Sequence, residues 1–437
     1  MVNNFKLKNS KDSIKLKDAI AIGIGGMVGG GIFAVLGLAV SLAKGGTPIA
    51  FLFAGIIALF TAYSYSKLSL SFPDRGGTVR FVNEGFGKGI FSGGINNVLW
   101  ISYIIMLSLY ASAFGSYAPN LISITGSKAI DTHIFVSGVI LLATLINYYS
   151  LKVVGKIESL AVFVKLFILL AFAGIGIYGL FGNANLSQLN PTNWESPFLL
   201  LTGGMVIFVA YEGFELIANA VPNLENPKKN VSRAYFISVG FVVLLYIIIA
   251  MVTVGSLSFD KIATAKDYVL AAAAKPMIGQ IGFTIMTVAA LISTFSAINA
   301  TLYGGSRVSY ELAEDDELPH SFTDQFWNKP IGLIITVILT LLTANFLNLE
   351  SISTSGSAGF LLIFAVVNYV SFRKAEKIKS NKTISIIGAI LSSVAFIVLI
   401  VQQSTSNLLG VFISLGIICL CFIAEWAYKK KVSKTEQ

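Results

Sequence analysis

Long apolar segments separated by short polar connections run through nearly the whole chain. They recur at approximately 19–42, 48–72, 90–118, 134–150, 157–181, 197–220, 234–256, 280–310, 331–347, 352–371, 383–402 and 407–428. A hydrocarbon core of roughly 30 Å needs about 20 apolar residues in a helix. The pattern therefore predicts an all-α integral membrane protein of about twelve transmembrane helices. The first segment, Ala19 to Ala43, is too long for a secretory signal and many more follow it. Among the connections expected outside, one is long, Leu257 to Gly279. It holds a helix-like stretch, Ala265 to Lys275, bounded by Pro276, which reads either as an external lid or as an inert surface helix.

Composition agrees with that picture. Apolar residues make up 55% of the chain and charged residues only 12%, and the mean hydropathy is +0.78. A soluble chain carries roughly 25% charged residues, so lipid must replace water around much of this surface.

Charge then sets the orientation. With the N-terminus placed in the cytoplasm, 24 Lys and Arg fall on the inside and five (Lys44, Lys128, Lys261, Lys266 and Lys275) on the outside. Such an asymmetry predicts a multi-pass protein of the cell membrane with both termini cytoplasmic. It also accounts for the net charge of +9 without nucleic acid as a partner. Cys419 and Cys421 are two apart and do not share a helix face, so they imply neither a disulfide nor a metal pair. His133 and His320 fall in predicted loops, and no zinc, P-loop or other cofactor motif is present. No cofactor is expected.

Two segments carry irregular centres. The first reads Gly23-Ile24-Gly25-Gly26-Met27-Val28-Gly29-Gly30-Gly31-Ile32-Phe33, six glycines in nine residues. Each interior glycine costs up to about 1 kcal/mol against alanine. Small residues serve close helix packing, but three in a row predict a stretch that unwinds and opens its backbone. Open backbone at mid-membrane is tolerated where it lines a cavity or is covered by protein. The sixth segment holds Gly203-Gly204 and then Phe208-Val209-Ala210-Tyr211-Glu212-Gly213-Phe214-Glu215. Two carboxylates there must face a partner or water. Either can hold a proton, pair with a cation or attract a cationic substrate side chain. Either can equally be a buried carboxylate bonded to backbone.

Interruptions in segments five apart point to a transporter built as a 5+5 inverted repeat, with its site at the midplane. Broken helices suit a zwitterion. Partly positive N–H groups at the start of a half-helix meet a carboxylate, and carbonyls at the opposing ends meet an ammonium. This assigns the substrate carboxylate to Gly30, Gly31 and Ile32, beside Gly29, and its ammonium to carbonyls near Met27 and around Phe208, Val209 and Tyr211. Lys165 stands alone in the apolar fifth segment, seven residues beyond Glu158, roughly 10 Å along a helix. It either snorkels to the interface or is a buried ammonium that gains and loses a proton at working pH.

Four stretches, in order, carry a resemblance over approximately residues 15–428. They are Gly26 to Phe33; Pro73-Asp74-Arg75-Gly76-Gly77 with Glu84-Gly85-Phe86-Gly87; Tyr211 to Glu215 with Glu225-Asn226-Pro227-Lys228-Lys229-Asn230; and Asn299 to Gly305 with Glu317-Leu318-Pro319. On these the chain resembles the amino acid–polyamine–organocation superfamily, and in particular its archaeal proton-coupled broad-specificity amino acid transporters. The resemblance implies a LeuT-like fold. Its parts would be a cytoplasmic segment 1–17, repeats at 18–181 and 197–372, two further helices within 383–428, and a tail 429–437. It implies no enzyme, and secondary transport of amino acids with protons and without sodium.

In similar transporters a lysine at this place in helix five occupies the position that sodium takes in sodium-coupled relatives. Lys165 is thus expected to reach a helix-one carbonyl, Gly25 or a neighbour, with Ser293 and Ser296 nearby. Ser232 departs from the family's usual proline, Val209 takes one of two plausible gate positions beside Phe208, and Glu212 replaces a usually apolar residue. An amino acid exchanger and a carrier of cationic amino acids or polyamines are the alternatives within the class. An ion channel is disfavoured, because no filter repeats around an axis.

Overall fold

The computed structural model describes residues 13–74, 76–149, 151–180, 184–326 and 329–435. Arg75 of the second motif, most of the N-terminal segment and the side chain of Glu158 lie outside the described residues.

Helices occupy nearly all of the described chain. Nine are long and apolar enough to cross a membrane, and two bent pairs bring the number to as many as eleven. The expected count of twelve is reached only by including Ile331–Phe346, which has 16 residues, about 24 Å at 1.5 Å per residue. In chain order the first span is the pair Leu16–Met27 and Gly31–Ala43, bent by 47°. The second to fifth spans are Thr47–Ser71, Ile90–Tyr117, Lys128–Tyr149 and Leu151–Leu180. The sixth is Pro197–Val206 followed by Phe208–Asn223, bent by 52°. The seventh and eighth are Pro227–Ser256 and Val269–Glu314. Ile331–Phe346 is the ninth, and the tenth to twelfth are Leu349–Arg373, Lys382–Ser406 and Leu408–Thr435.

Local signals explain where these helices start. Pro197 follows the N-cap Ser196, whose hydroxyl accepts from the Leu199 N–H, satisfying a donor the helix cannot. Asn348 and Asn381 cap the tenth and eleventh spans in the same way. Packing then separates centre from periphery. Of the third span's apolar window 83% is buried, against 28% for the twelfth. The third span lies along the eighth, the second along the seventh and the tenth along the eleventh. Exposed apolar side chains such as Phe163, Phe167, Phe412 and Leu420 cover the outside, where only lipid makes them favourable.

Three expectations are corrected. His133 sits on the fourth span, which begins at Lys128 and not near 134, and its Nδ1 lies 2.9 Å from Asn345 Oδ1. The outer stretch after Ala265 does not stop at Pro276. It passes through that residue and breaks at Ile278 and Gly279, where glycine alone readily takes φ of +68°. Gly203 and Gly204 are not a break; they lie inside a regular half-helix, and a Cβ at Gly204 would press on the Ala50 carbonyl.

Candidate functional site

The two breaks meet at the centre of the bundle. The first span unwinds over Val28–Gly30, between its halves. The sixth changes at Ile207 into a 3-10 turn, Phe208–Tyr211. Glu212 is then extended and Gly213 takes φ of +115°. Backbone touches backbone here, since a Cβ on Gly26 would lie 2.6 Å from the Gly213 carbonyl oxygen. Gly31 faces Ala210 in the same manner, with 2.9 Å from a built Cβ to the Ala210 Cα. The glycine run thus serves two ends at once. It opens the first helix and lets the sixth approach it.

Around that contact the predicted residues are gathered, and all are buried. Gly31 and Ile32 begin the second half of the first span, whose opening N–H groups have no intrahelical acceptor. They form the electropositive end of a half-helix. Ser293, on the eighth span, donates to the Gly29 carbonyl at 2.7 Å and lies 3.2 Å from that of Val28. Ser296 is buried one turn further along.

Lys165 is fully buried, and its Nζ donates to the Gly25 carbonyl at 2.9 Å. The fifth span exposes Leu160, Phe163, Phe167 and Leu170 along one face and buries Leu169 and Phe172 on the other. Lys165 belongs to the buried face, where helical periodicity puts it.

Glu212 is 3% exposed and accepts from the Tyr110 hydroxyl at 3.2 Å. The Tyr110 ring covers Gly30, so a third-span tyrosine ties the acidic residue of one break to the glycines of the other. Glu215 is 2% exposed and accepts from the Gly213 N–H at 2.8 Å, and the two carboxyls lie against each other.

The rest of the sixth-span break faces away from this pair. Phe208 packs on Phe364, and Phe214, Tyr65 and Phe364 extend the aromatic floor. Val209 fits against Gly356. Tyr211 turns toward the second span, donating to the Phe51 carbonyl at 2.9 Å.

Several residues escaped sequence reasoning. Tyr246, on the seventh span, aims one hydroxyl at carbonyls of both breaks, 2.7 Å from Met27 O and 3.2 Å from Ala210 O. Met27 O is among the carbonyls expected to meet a substrate ammonium, and it already holds this bond. Ser353 and Ser357 both donate to Val206 O, and the Ser357 hydroxyl accepts from the Val209 N–H at 3.1 Å. These side chains satisfy backbone groups that the sixth span frees by unwinding. The signal for Tyr246 was slight, a hydroxyl in an apolar helix, whereas Ser353 and Ser357 belong to a hydroxyl-rich run from Ser351 to Ser357.

The opening N–H groups of one half-helix thus lie beside the unwound turn of the other, with the Lys165 side chain on the Gly25 carbonyl. The sequence profile of the family described as "Amino acid permease" matches residues 14–423. The chain belongs to the amino acid permease family. It is 34% identical over 434 residues to an uncharacterised protein of Methanocaldococcus jannaschii, covering 98% of each chain. The permease is also 32% identical to the inner membrane transport protein YbaT of Escherichia coli, over 98% of this chain and 99% of that one. The branched-chain amino acid permease BcaP of Lactococcus lactis is 25% identical, over 82% and 81%. This permease is therefore a multi-pass membrane transporter of amino acids and not an enzyme.

Proposed function

We propose that this permease carries amino acids together with protons and does not use sodium. The observation that carries the reading is the Lys165 ammonium, wholly buried and bonded to the Gly25 carbonyl at 2.9 Å. A buried cation is expensive unless acceptors surround it. Losing its proton releases the helix-one carbonyl, so the proton's binding and the state of the break are linked. A fixed ammonium there stands in for a free cation. The substrate carboxylate docks at the N–H groups of Gly30, Gly31 and Ile32, and its ammonium at carbonyls around the sixth-span break.

The basic face, with both termini, is cytoplasmic in this reading, and the membrane is that of the cell. Residues 18–181 and 197–372 are the two inverted repeats, and the eleventh and twelfth spans lie outside them.

Uptake of labelled amino acids into proteoliposomes tests the proposal. With acid outside and sodium replaced by choline, the protein concentrates at least one amino acid by a saturable process. Uptake that requires sodium, or that is unchanged when the proton gradient is collapsed, contradicts it.

A further inference from the structure

Away from the breaks, on the basic face, the ends of four elements enclose a polar cluster that transport does not explain. Asn96 and Asn97 come from the third span and are 0% and 5% exposed. Glu317 comes from the connection after the eighth span and Glu425 from the twelfth, and each is 1% exposed. Asn83 comes from the short helix Thr78–Phe86. Gly93 is what admits Glu425, since a Cβ there would overlap its carboxyl group.

Donors and acceptors in this cluster do not balance. Asn96 Nδ2 donates to Asn83 Oδ1 at 3.1 Å and to Glu317 Oε2 at 2.7 Å. Asn97 Nδ2 donates to the Glu317 carbonyl at 3.3 Å and to Glu425 Oε2 at 3.2 Å. Each amide carries two N–H bonds, so both are spent. Four buried oxygens then accept no hydrogen bond: Asn96 Oδ1, Asn97 Oδ1, Glu317 Oε1 and Glu425 Oε1.

The surrounding charges do not make up the deficit. Lys88 is engaged by Asp315 at 2.8 Å, and Asn83 Nδ2 also donates to Asp315. Lys429 donates to the Asp316 carbonyl at 2.8 Å and lies 3.9 Å from Glu425 Oε1. Asp315 faces Glu317 and adds negative charge, as Asp316 does beside Tyr428. Two ammonium groups, Lys88 and Lys429, therefore face three carboxyl groups, Asp315, Glu317 and Glu425. Ionised together, they leave a negative charge in a site of low dielectric.

We propose that Glu317 and Glu425 together bind one proton, forming a latch that holds the twelfth span and the 315–318 connection against the third span. The proton turns a carboxyl group from acceptor into donor and removes the surplus charge in one step. Burial pushes Glu317 above the ordinary carboxylate range, with Asp315 adding to it, against the opposing effects of Asn96, Lys429 and Asn83. A carboxyl group raised in this way stabilises the closed latch at low pH. That stability is lost as pH rises through its folded value.

The latch borders a cleft of about 440 Å³ lined by Asp74, Arg80, Arg307, Glu311 and Asp315. Asp315 belongs to both. Loosening the latch therefore loosens a wall of that cleft, so the permease senses pH on the basic face separately from Lys165.

Hydrogen exchange of the full chain in nanodiscs, without substrate, reads the latch directly. After correction for intrinsic exchange, protection in peptides covering 312–320 and 420–430 falls about tenfold per pH unit between the open-state and closed-state values of the shared proton, the slope of one linked proton, and levels off above the closed-state value. Glu425→Gln and Glu317→Gln supply a permanent N–H donor, and each keeps those peptides protected with no pH dependence. Wild-type protection that does not vary with pH overturns the proposal, and so does a Gln variant that loses protection as wild type does. Restoration of protection by sodium or calcium at alkaline pH assigns the oxygens to a metal ion and overturns it as well. None of these outcomes depends on whether transport is proton-coupled.

Discussion

Lys165→Ala abolishes proton-driven accumulation while amino acid binding survives. The ammonium sits under the break, on Gly25, whereas the proposed substrate site uses main-chain groups of the first and sixth spans. For one proton per substrate, a gradient of one pH unit supports a concentration ratio of about tenfold. The Ala variant brings that ratio to one. Lys165→Arg does the same, because a guanidinium keeps its charge throughout the cycle. Accumulation in parallel proteoliposomes, with binding measured by calorimetry on the same preparations, separates coupling from recognition. Wild-type accumulation by both variants would make Lys165 a structural tether.

Gly213→Ala weakens substrate binding and destabilises the protein. The backbone there has φ of +115°, a conformation that costs a residue with a Cβ about 1–3 kcal/mol. The added methyl would also overlap the Gly26 carbonyl carbon and come within 2.6 Å of the Met27 nitrogen. These atoms are backbone and have no rotamer in which to retreat, so the two breaks must separate. A lowered unfolding temperature and an affinity reduced by at least about tenfold, the equivalent of 1.4 kcal/mol, are the expected readings. Gly174→Ala, on the fifth span, has open space around it and serves as the control that leaves both unchanged.

Much of this arrangement was legible in the sequence because membranes impose simple rules. Apolar runs mark spans, and three glycines in succession have no use in a regular helix, which placed the first break at Gly29–Gly31. Lys165 stood out because it is the one charged residue between Glu158 and Leu180. The sixth break was harder to place. Gly203 and Gly204 look like an interruption, yet they are packing glycines, while the chain turns at Ile207 and Gly213. Sequence does not distinguish a glycine that admits a neighbouring backbone from one that bends its own.

Tyr246 was invisible for a related reason. Tyrosine is common in apolar helices, and its hydroxyl matters here only because tertiary packing brings Met27 O and Ala210 O to it. His133 reads as a loop residue because Lys128, Asp131, Thr132 and His133 make the opening of the fourth span polar. The Asp131 carboxylate accepts from the Ile124 and Thr125 N–H groups and from the Thr125 hydroxyl, in the connection before that span.

Substrate-evoked proton movement is the most direct test of the central claim. Sodium-free proteoliposomes loaded with a pH-sensitive dye are set at equal pH on both sides, and an amino acid that binds is added outside. Proton-coupled symport predicts acidification of the lumen that saturates with substrate and is absent in Lys165→Ala. Saturable amino acid entry with no change in lumenal pH would contradict it.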